Sequence, residues 1–198
     1  MDRHVVHTVH TVHIVVLGAG TAGTLAANRL RCYCDSPHVS VLVVDRNDTR
    51  DPETLLLAAL GLYGPHALRP PEDQHLREDI GFRHTEVATV DPARAEVCLG
   101  DGTTLPYDVL VLATGTPPPD GYVTRSHGLG DDHGLVPVDP LTRRSPADPL
   151  VYAISAAADG HRATGRQLHA QAEKLSSGVR AYLAGNPPAP RRTTGATA

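Results

Sequence analysis

Four short apolar runs mark the chain: Ile14–Leu17, Val39–Val44, Val109–Ala113 and Val151–Ile154. Near-continuous hydrophobic runs of this length, without polar alternation, are expected of central parallel strands buried on both faces. Between the first two lies Thr24–Arg31, where Leu25, Ala26, Ala27 and Leu30 suit one packed face of a helix. Strand, helix and strand within about 30 residues predict a βαβ unit. Three further β-like segments, Arg83–Val90, Ala95–Leu99 and Thr103–Leu105, are separated by Asp91-Pro92 and Gly100-Asp101-Gly102. Both separators are good hairpin chemistry. Glu53–Leu62 suits a short helix, broken afterwards by Pro65, Pro70 and Pro71, and Pro117–Gly134 reads as a loop. Gly165–Leu183 predicts a closing helix. The fold class expected is therefore α/β, a parallel sheet with helices and a small antiparallel β meander.

The first thirteen residues depart from both regular periods. His4, His7, His10 and His13 recur every third residue, which matches neither a strand face nor a helix face. They predict a His-rich extension over residues 1–12, with His13 alone bordering the core. A flexible tract of this kind can capture metal loosely, but no metal site is predicted. One domain over 13–185 and a disordered tail over 186–198 complete the expected organisation, as the 198-residue length allows. Cys32, Cys34 and Cys98 are too irregularly spaced for a disulfide framework or a zinc site. A net charge of −4 gives no reason to expect a nucleic-acid partner. No apolar run reaches the roughly 18–20 residues that would span a bilayer, and the opening residues lack a signal-peptide pattern. A cytoplasmic protein is the expectation.

Candidate chemistry enters with Gly18-Ala19-Gly20-Thr21-Ala22-Gly23, which fits G-x-G-x-x-G between a strand and a helix. Gly18 is expected to permit the tight turn and Gly20 to let the backbone approach a pyrophosphate. Gly23 should allow the helix to pack closely on the sheet. Amides at the helix start, aided by the helix dipole, would hold the phosphates. Asp45 ends the second strand 22 residues beyond Gly23. A carboxylate there accepts hydrogen bonds from ribose hydroxyls and repels a 2′-phosphate. Together these features predict a Rossmann-like, dinucleotide-binding domain.

A second constellation decides between dinucleotides. Asp101-Gly102-Thr103-Thr104-Leu105-Pro106-Tyr107-Asp108-Val109-Leu110-Val111-Leu112-Ala113-Thr114-Gly115 resembles the D-G-x-x-x-x-Y-D-x-L-V-x-A-T-G segment of two-dinucleotide-domain flavoproteins. Val136-Pro137-Val138-Asp139, Val151-Tyr152-Ala153-Ile154 and His169-Ala170-Gln171-Ala172-Glu173 extend the likeness. It points to the pyridine nucleotide-disulfide oxidoreductase superfamily, nearest the sulfide:quinone oxidoreductases and type II NADH dehydrogenases. The resemblance implies an FAD cofactor and an oxidoreductase-like protein. It implies cofactor contacts at Gly18, Gly20, Thr21, Ala22, Gly23, Asp45, Arg46, Val87, Ala113, Thr114 and Gly115.

Departures limit that implication. The family inserts a second nucleotide domain where this chain has Pro117–Leu135, too short for a βαβ unit. No second G-x-G-x-x-G exists. The family's Gly-Asp after the last strand is Ser155-Ala156 here. The sulfide-oxidising cysteines have no counterpart in position, and no catalytic residue is assigned. His169 stands at an interesting position, although a solvated or capping role suits it better. Two alternatives stay open: a degenerate, non-catalytic nucleotide-binding or interaction module, and a small NAD-binding oxidoreductase. A homodimer is expected, because losing a large domain would expose its former partner surface.

Overall fold

A computed structural model of the chain describes residues 11–46, 76–115, 121–163 and 165–185. The elements run β1 (Val12–Leu17), α1 (Thr21–Tyr33), β2 (Val39–Asp45), β3 (Gly81–His84), β4 (Val87–Asp91), β5 (Glu96–Leu99), β6 (Thr104–Pro106) and β7 (Val109–Leu112). The short helix α2 (Tyr122–Arg125), β8 (Val151–Ala153), the short helix α3 (Ala156–Asp159) and the long α4 (Gly165–Gly185) follow.

Five strands form one sheet in the order β3-β2-β1-β7-β8. Every neighbouring pair in it is parallel, with Val12 to Leu17 facing Val39 to Val44, and Ile14 to Leu17 facing Val109 to Leu112. The apolar runs suit this sheet because it is covered on both faces. Ile14, Val16, Val41, Val43, Val109 and Val111 point to one face and join Ala26, Ala27 and Leu30 of α1 with Leu168, Ala172, Leu175 and Val179 of α4. Val15, Leu17, Val44, Leu110 and Leu112 point to the other. There they meet Val87, Val90, Val97 and Leu99 of an antiparallel meander ordered β4-β5-β6. The alternation follows the two-residue period of a strand. Burying a valine or leucine side chain fully contributes roughly 1.5–3 kcal/mol, so these central residues dominate the stability.

Polar ties lock α1 into place. Arg29 and Tyr33 both reach the Glu173 carboxylate on α4, and the Arg180 guanidinium lies 5.2 Å from the centre of the Tyr33 ring. At the other side, buried Arg31 donates to Asp79 at 2.7 Å and to the Val39 carbonyl at 2.8 Å. The second bond ties the end of α1 to the start of β2.

The structure redraws three expected boundaries. Arg83–Val90 is not one strand: β3 lies parallel to β2 in the large sheet, whereas β4 pairs antiparallel with β5. Thr85 N–H donates to the Asp45 carbonyl at 2.9 Å, and the chain changes sheets over Thr85 and Glu86. The sequence reads as β on both sides of that step, and local pattern carries no record of which partner each half finds. Pro117–Gly134 contains α2 rather than loop alone, held where the Ser126 hydroxyl meets both the Tyr122 carbonyl and the Val90 N–H. β1 begins one residue before His13. Glu53–Leu62, the first three histidines of the repeat and the tail after Gly185 lie outside the described residues.

Candidate functional site

The glycine turn joins the end of β1 to the start of α1, and two of its glycines are required by the protein itself. Gly18 has φ +105°, and a Cβ there would stand 2.8 Å from the Ala113 carbonyl oxygen. A Cβ on Gly23 would fall 1.8 Å from the Gly18 carbonyl oxygen. Gly20 differs: no atom lies within 4 Å of where its Cβ would be. Among the described residues nothing crowds that glycine, so its backbone is open to approach. No side chain caps α1, and its first turn contains no acidic residue. The positive end of the helix dipole therefore meets no protein countercharge from its own first turn.

Asp45 ends β2 beside this turn, and its carboxylate accepts the Ala19 N–H at 2.6 Å. That bond orients the acid toward the glycines across 26 residues of chain. Ala113, Thr114 and Gly115 follow β7, and the Ala113 N–H donates to the Leu17 carbonyl at 2.9 Å. A Cβ on Gly115 would meet nothing within 4 Å. The structure thus gathers Gly18, Gly20, Thr21, Ala22, Gly23, Asp45, Ala113, Thr114 and Gly115 at the carboxyl edge of β1, β2 and β7. In open parallel sheets this edge is where ligands bind. Arg46 follows on the surface, 3.4 Å from Glu86 in an exposed ion pair. Val87 heads β4 with its side chain buried in the meander-side core, which leaves only its backbone to face a ligand.

Tyr122 is a residue that sequence reasoning missed. Its hydroxyl and that of Thr114 are both buried and lie against one another. Burial holds the phenol far above its ordinary pKa, and the Asp45 charge adds to that effect. The only sequence signal was a tyrosine within an otherwise Pro-, Gly- and Asp-rich stretch.

A second turn at the same sheet edge is built differently. Ser155 follows β8 with φ 58° and ψ −135°, a region that L side chains rarely adopt. Its N–H donates to the Gln171 Oε1 at 3.0 Å, and its Oγ accepts the Ala163 N–H at 3.0 Å. Gln171 in turn donates to Asp159 at 2.8 Å. Asp159 is held by both terminal nitrogens of Arg143, at 3.1 and 3.2 Å, and the Arg143 Nε donates to the Ala153 carbonyl at 3.1 Å. Ala156 is 1% exposed. His169 lies beside Arg29, with 3.5 Å between ring and guanidinium nitrogens, roughly two helical turns along α1 from the glycine turn.

Among the described residues no cluster of three or more His, Cys, Asp or Glu could hold a metal ion. None of their helices is long and apolar enough to cross a membrane. Cys32, Cys34 and Cys98 are free thiols, and burial raises the pKa of Cys34.

Comparison with known proteins agrees with this architecture. Residues 12–123 match the family model described as pyridine nucleotide-disulphide oxidoreductase. Ferroptosis suppressor protein 1 of Taeniopygia guttata is 33% identical over 104 residues, which are 52% of this chain and 26% of that protein. The match thus spans about a quarter of that relative's length. The GidA-related protein from Thermus thermophilus superposes with a TM-score of 0.55 at 14% identity, over 85% of this chain and 98% of its own. The sulfide:quinone oxidoreductase of Aquifex aeolicus gives a TM-score of 0.44 at 20% identity, over 89% of this chain and 33% of that one. With a parallel sheet, a glycine turn at its carboxyl edge and a family match over more than half its length, the chain belongs to the pyridine nucleotide-disulphide oxidoreductase family.

Proposed function

We propose that the chain binds FAD at the glycine turn and serves as the flavin-holding unit of an oxidoreductase. One observation carries the reading: a Cβ on Gly20 would meet open space at the start of a helix with no side-chain cap, next to Ala19, whose N–H the Asp45 carboxylate accepts. An anionic pyrophosphate suits the helix start, and ribose hydroxyls suit the carboxylate. The A-T-G turn at Ala113–Gly115 favours FAD over NAD, because simple NAD dehydrogenases lack that segment. Flavin, when bound, supplies the redox chemistry, and the protein supplies binding and orientation. Gly18–Gly23 would hold the pyrophosphate through backbone amides, Asp45 would orient the ribose, and Thr114 and Gly115 would border the cofactor chain. A sulfide:quinone type of activity is not part of the proposal, since no cysteine stands in the positions it needs.

Titration of the purified chain with FAD and with NAD, followed by calorimetry and by the visible spectrum, tests this. FAD should bind and show flavin bands, and Gly20→Val should abolish binding while thermal stability holds. A colourless protein that takes up no added FAD would overturn the reading. A non-catalytic nucleotide-binding module is the second reading, favoured by the β8 turn. There Ser155, Gln171 and Asp159 bond one another, and no carboxylate stands at Ala156 to meet a flavin chain.

A further inference from the structure

The chain holds one phenylalanine and no tryptophan, and that phenylalanine stands two residues before His84 on β3. In the parallel ladder Phe82 faces Val43 of β2, and His84 faces Asp45. Alternate residues of a strand share a face. Phe82, His84 and Asp45 therefore all stand on the α1 side of the sheet, where Phe82 packs against the cluster containing Val43. The Phe82 and His84 rings stack, with centroids 6.5 Å apart and planes 17° from parallel. That spacing is close to the rise of two strand residues, so the stack runs along β3 toward the carboxyl edge. His84 is its last layer and is exposed. The His84 Nε2 lies 3.1 Å from the Arg46 carbonyl oxygen, and because a carbonyl only accepts, Nε2 is the donor. This bond and the stack together fix the ring plane. The Thr85 N–H donates to the Asp45 carbonyl at 2.9 Å, which holds the end of β3 beside Asp45.

We infer that His84 is the base-stacking residue of the site, carrying the adenine ring of the dinucleotide on its outer face. The inference rests on the dinucleotide reading given above. The order of groups along the sheet edge supports it. The glycine turn follows β1, Asp45 ends β2 and His84 ends β3, and β2 lies between the other two strands. Phosphate, ribose and base follow one another in the same order along a nucleotide. With the pyrophosphate on the glycine turn and the ribose at Asp45, the base falls beside the end of β3. A ring laid there on His84 continues the Phe82 stack by one layer beyond the edge. Offset stacking is a favoured arrangement of flat rings, and it reads the face of a base rather than its edge.

The test uses the full chain with His84→Ala, which removes the ring, and His84→Phe, which keeps an aromatic face. Calorimetry with FAD and with ADP is run on all three proteins, with thermal unfolding as the folding control. The unsubstituted protein should bind both ligands. His84→Ala should weaken ADP about tenfold, the scale of one base stacked on a ring, and His84→Phe should stay within about twofold of the unsubstituted protein. In the isotope-labelled chain the assigned His84 Hδ2 and Hε1 resonances should move upfield as ADP is added, under the ring current of the adenine. Equal affinity of His84→Ala and the unsubstituted protein for ADP would overturn the inference and leave the dinucleotide reading standing. A loss as large in His84→Phe as in His84→Ala would also overturn it, since an aromatic face is then not what binds. Binding of FAD without ADP would do the same, and binding of neither would overturn both readings together. Should His84→Ala not fold, the resonances decide. Bound ADP that leaves the His84 ring signals unmoved, or moves them downfield, sinks the contact.

Discussion

Two turns lie at the carboxyl edge of the same parallel sheet, one after β1 and one after β8, and they solve the same backbone problem in opposite ways. After β1, the left-handed conformation and the close contacts fall on glycines, and no side chain caps the helix start. After β8, a positive φ falls on Ser155, and a chain of side chains holds it there. Ser155 bonds Gln171 and Ala163, Gln171 bonds Asp159, and Asp159 bonds Arg143. Arg143 itself has φ 61°, so two strained residues share one network. The first turn leaves open space at Gly20 beside a helix start with no side-chain cap, and the second is closed by its own side chains. Two turns at one sheet edge thus differ in the space they leave and in what holds them.

The sharpest way to break the contrast is Gly23→Ala. A Cβ 1.8 Å from a backbone oxygen cannot be absorbed by rotating a side chain. We expect a loss at or beyond the upper end of the ~1–3 kcal/mol typical of overpacking, read as a large fall in the urea midpoint. A midpoint unchanged from the parent would mean that α1 does not pack on the turn this closely.

Arg143→Ala attacks the second turn. Removing one partner of a buried pair costs roughly 3–5 kcal/mol, and the Asp159 side chain retains 25% exposure, so the lower end, about 3 kcal/mol, is expected. Asp159→Asn in the same background should recover part of it, because the stranded charge is gone. No recovery in urea unfolding would place the cost in lost Arg143 packing instead.

Comparing Ser155→Gly with Ser155→Ala isolates the strain. Both lose the hydroxyl that accepts the Ala163 N–H, but only alanine keeps a Cβ at φ 58°. Glycine should be the more stable variant by about 1–2 kcal/mol, within the ~1–3 kcal/mol typical of such conformations and against the usual preference for alanine. Alanine proving the more stable would show that the turn is not strained.

The smallest effect is expected when the second turn is converted toward the first. Ser155→Gly/Ala156→Asp should tighten FAD by about two- to tenfold, one net hydrogen bond, and leave NAD affinity alone because NAD has no ribityl chain. Ala156 is 1% exposed, so the new carboxylate replaces a buried methyl and the ligand-free variant should unfold earlier. If the double variant binds FAD no better than the parent, the likeness of β8 to the flavoprotein strand is misplaced.

Much of this was legible in the chain because it is local. Ile14–Leu17, Val39–Val44 and Val109–Ala113 declare buried parallel strands through near-continuous hydrophobicity, with Ser40 alone polar. The spacing of Gly18, Gly20 and Gly23 states a strand-to-helix turn, and Gly18 and Gly23 answer to contacts within their own βαβ unit or across to Ala113. Tertiary structure decided what depends on distant partners. Whether Arg83–Val90 is one strand or two turned on which sheet each half could reach. Asp159, lacking the family's spacing, took Arg143 and Gln171 as partners from segments 16 and 12 residues away. Tyr122 carries no motif at all, and its closeness to Thr114 and Asp45 exists only once α2 has packed against β4 over the ends of β1, β2 and β7. Local pattern records which residues must be buried or must turn, because those demands act on each residue and its near neighbours. Which buried polar group meets which is set by long-range packing, and there the sequence alone is silent.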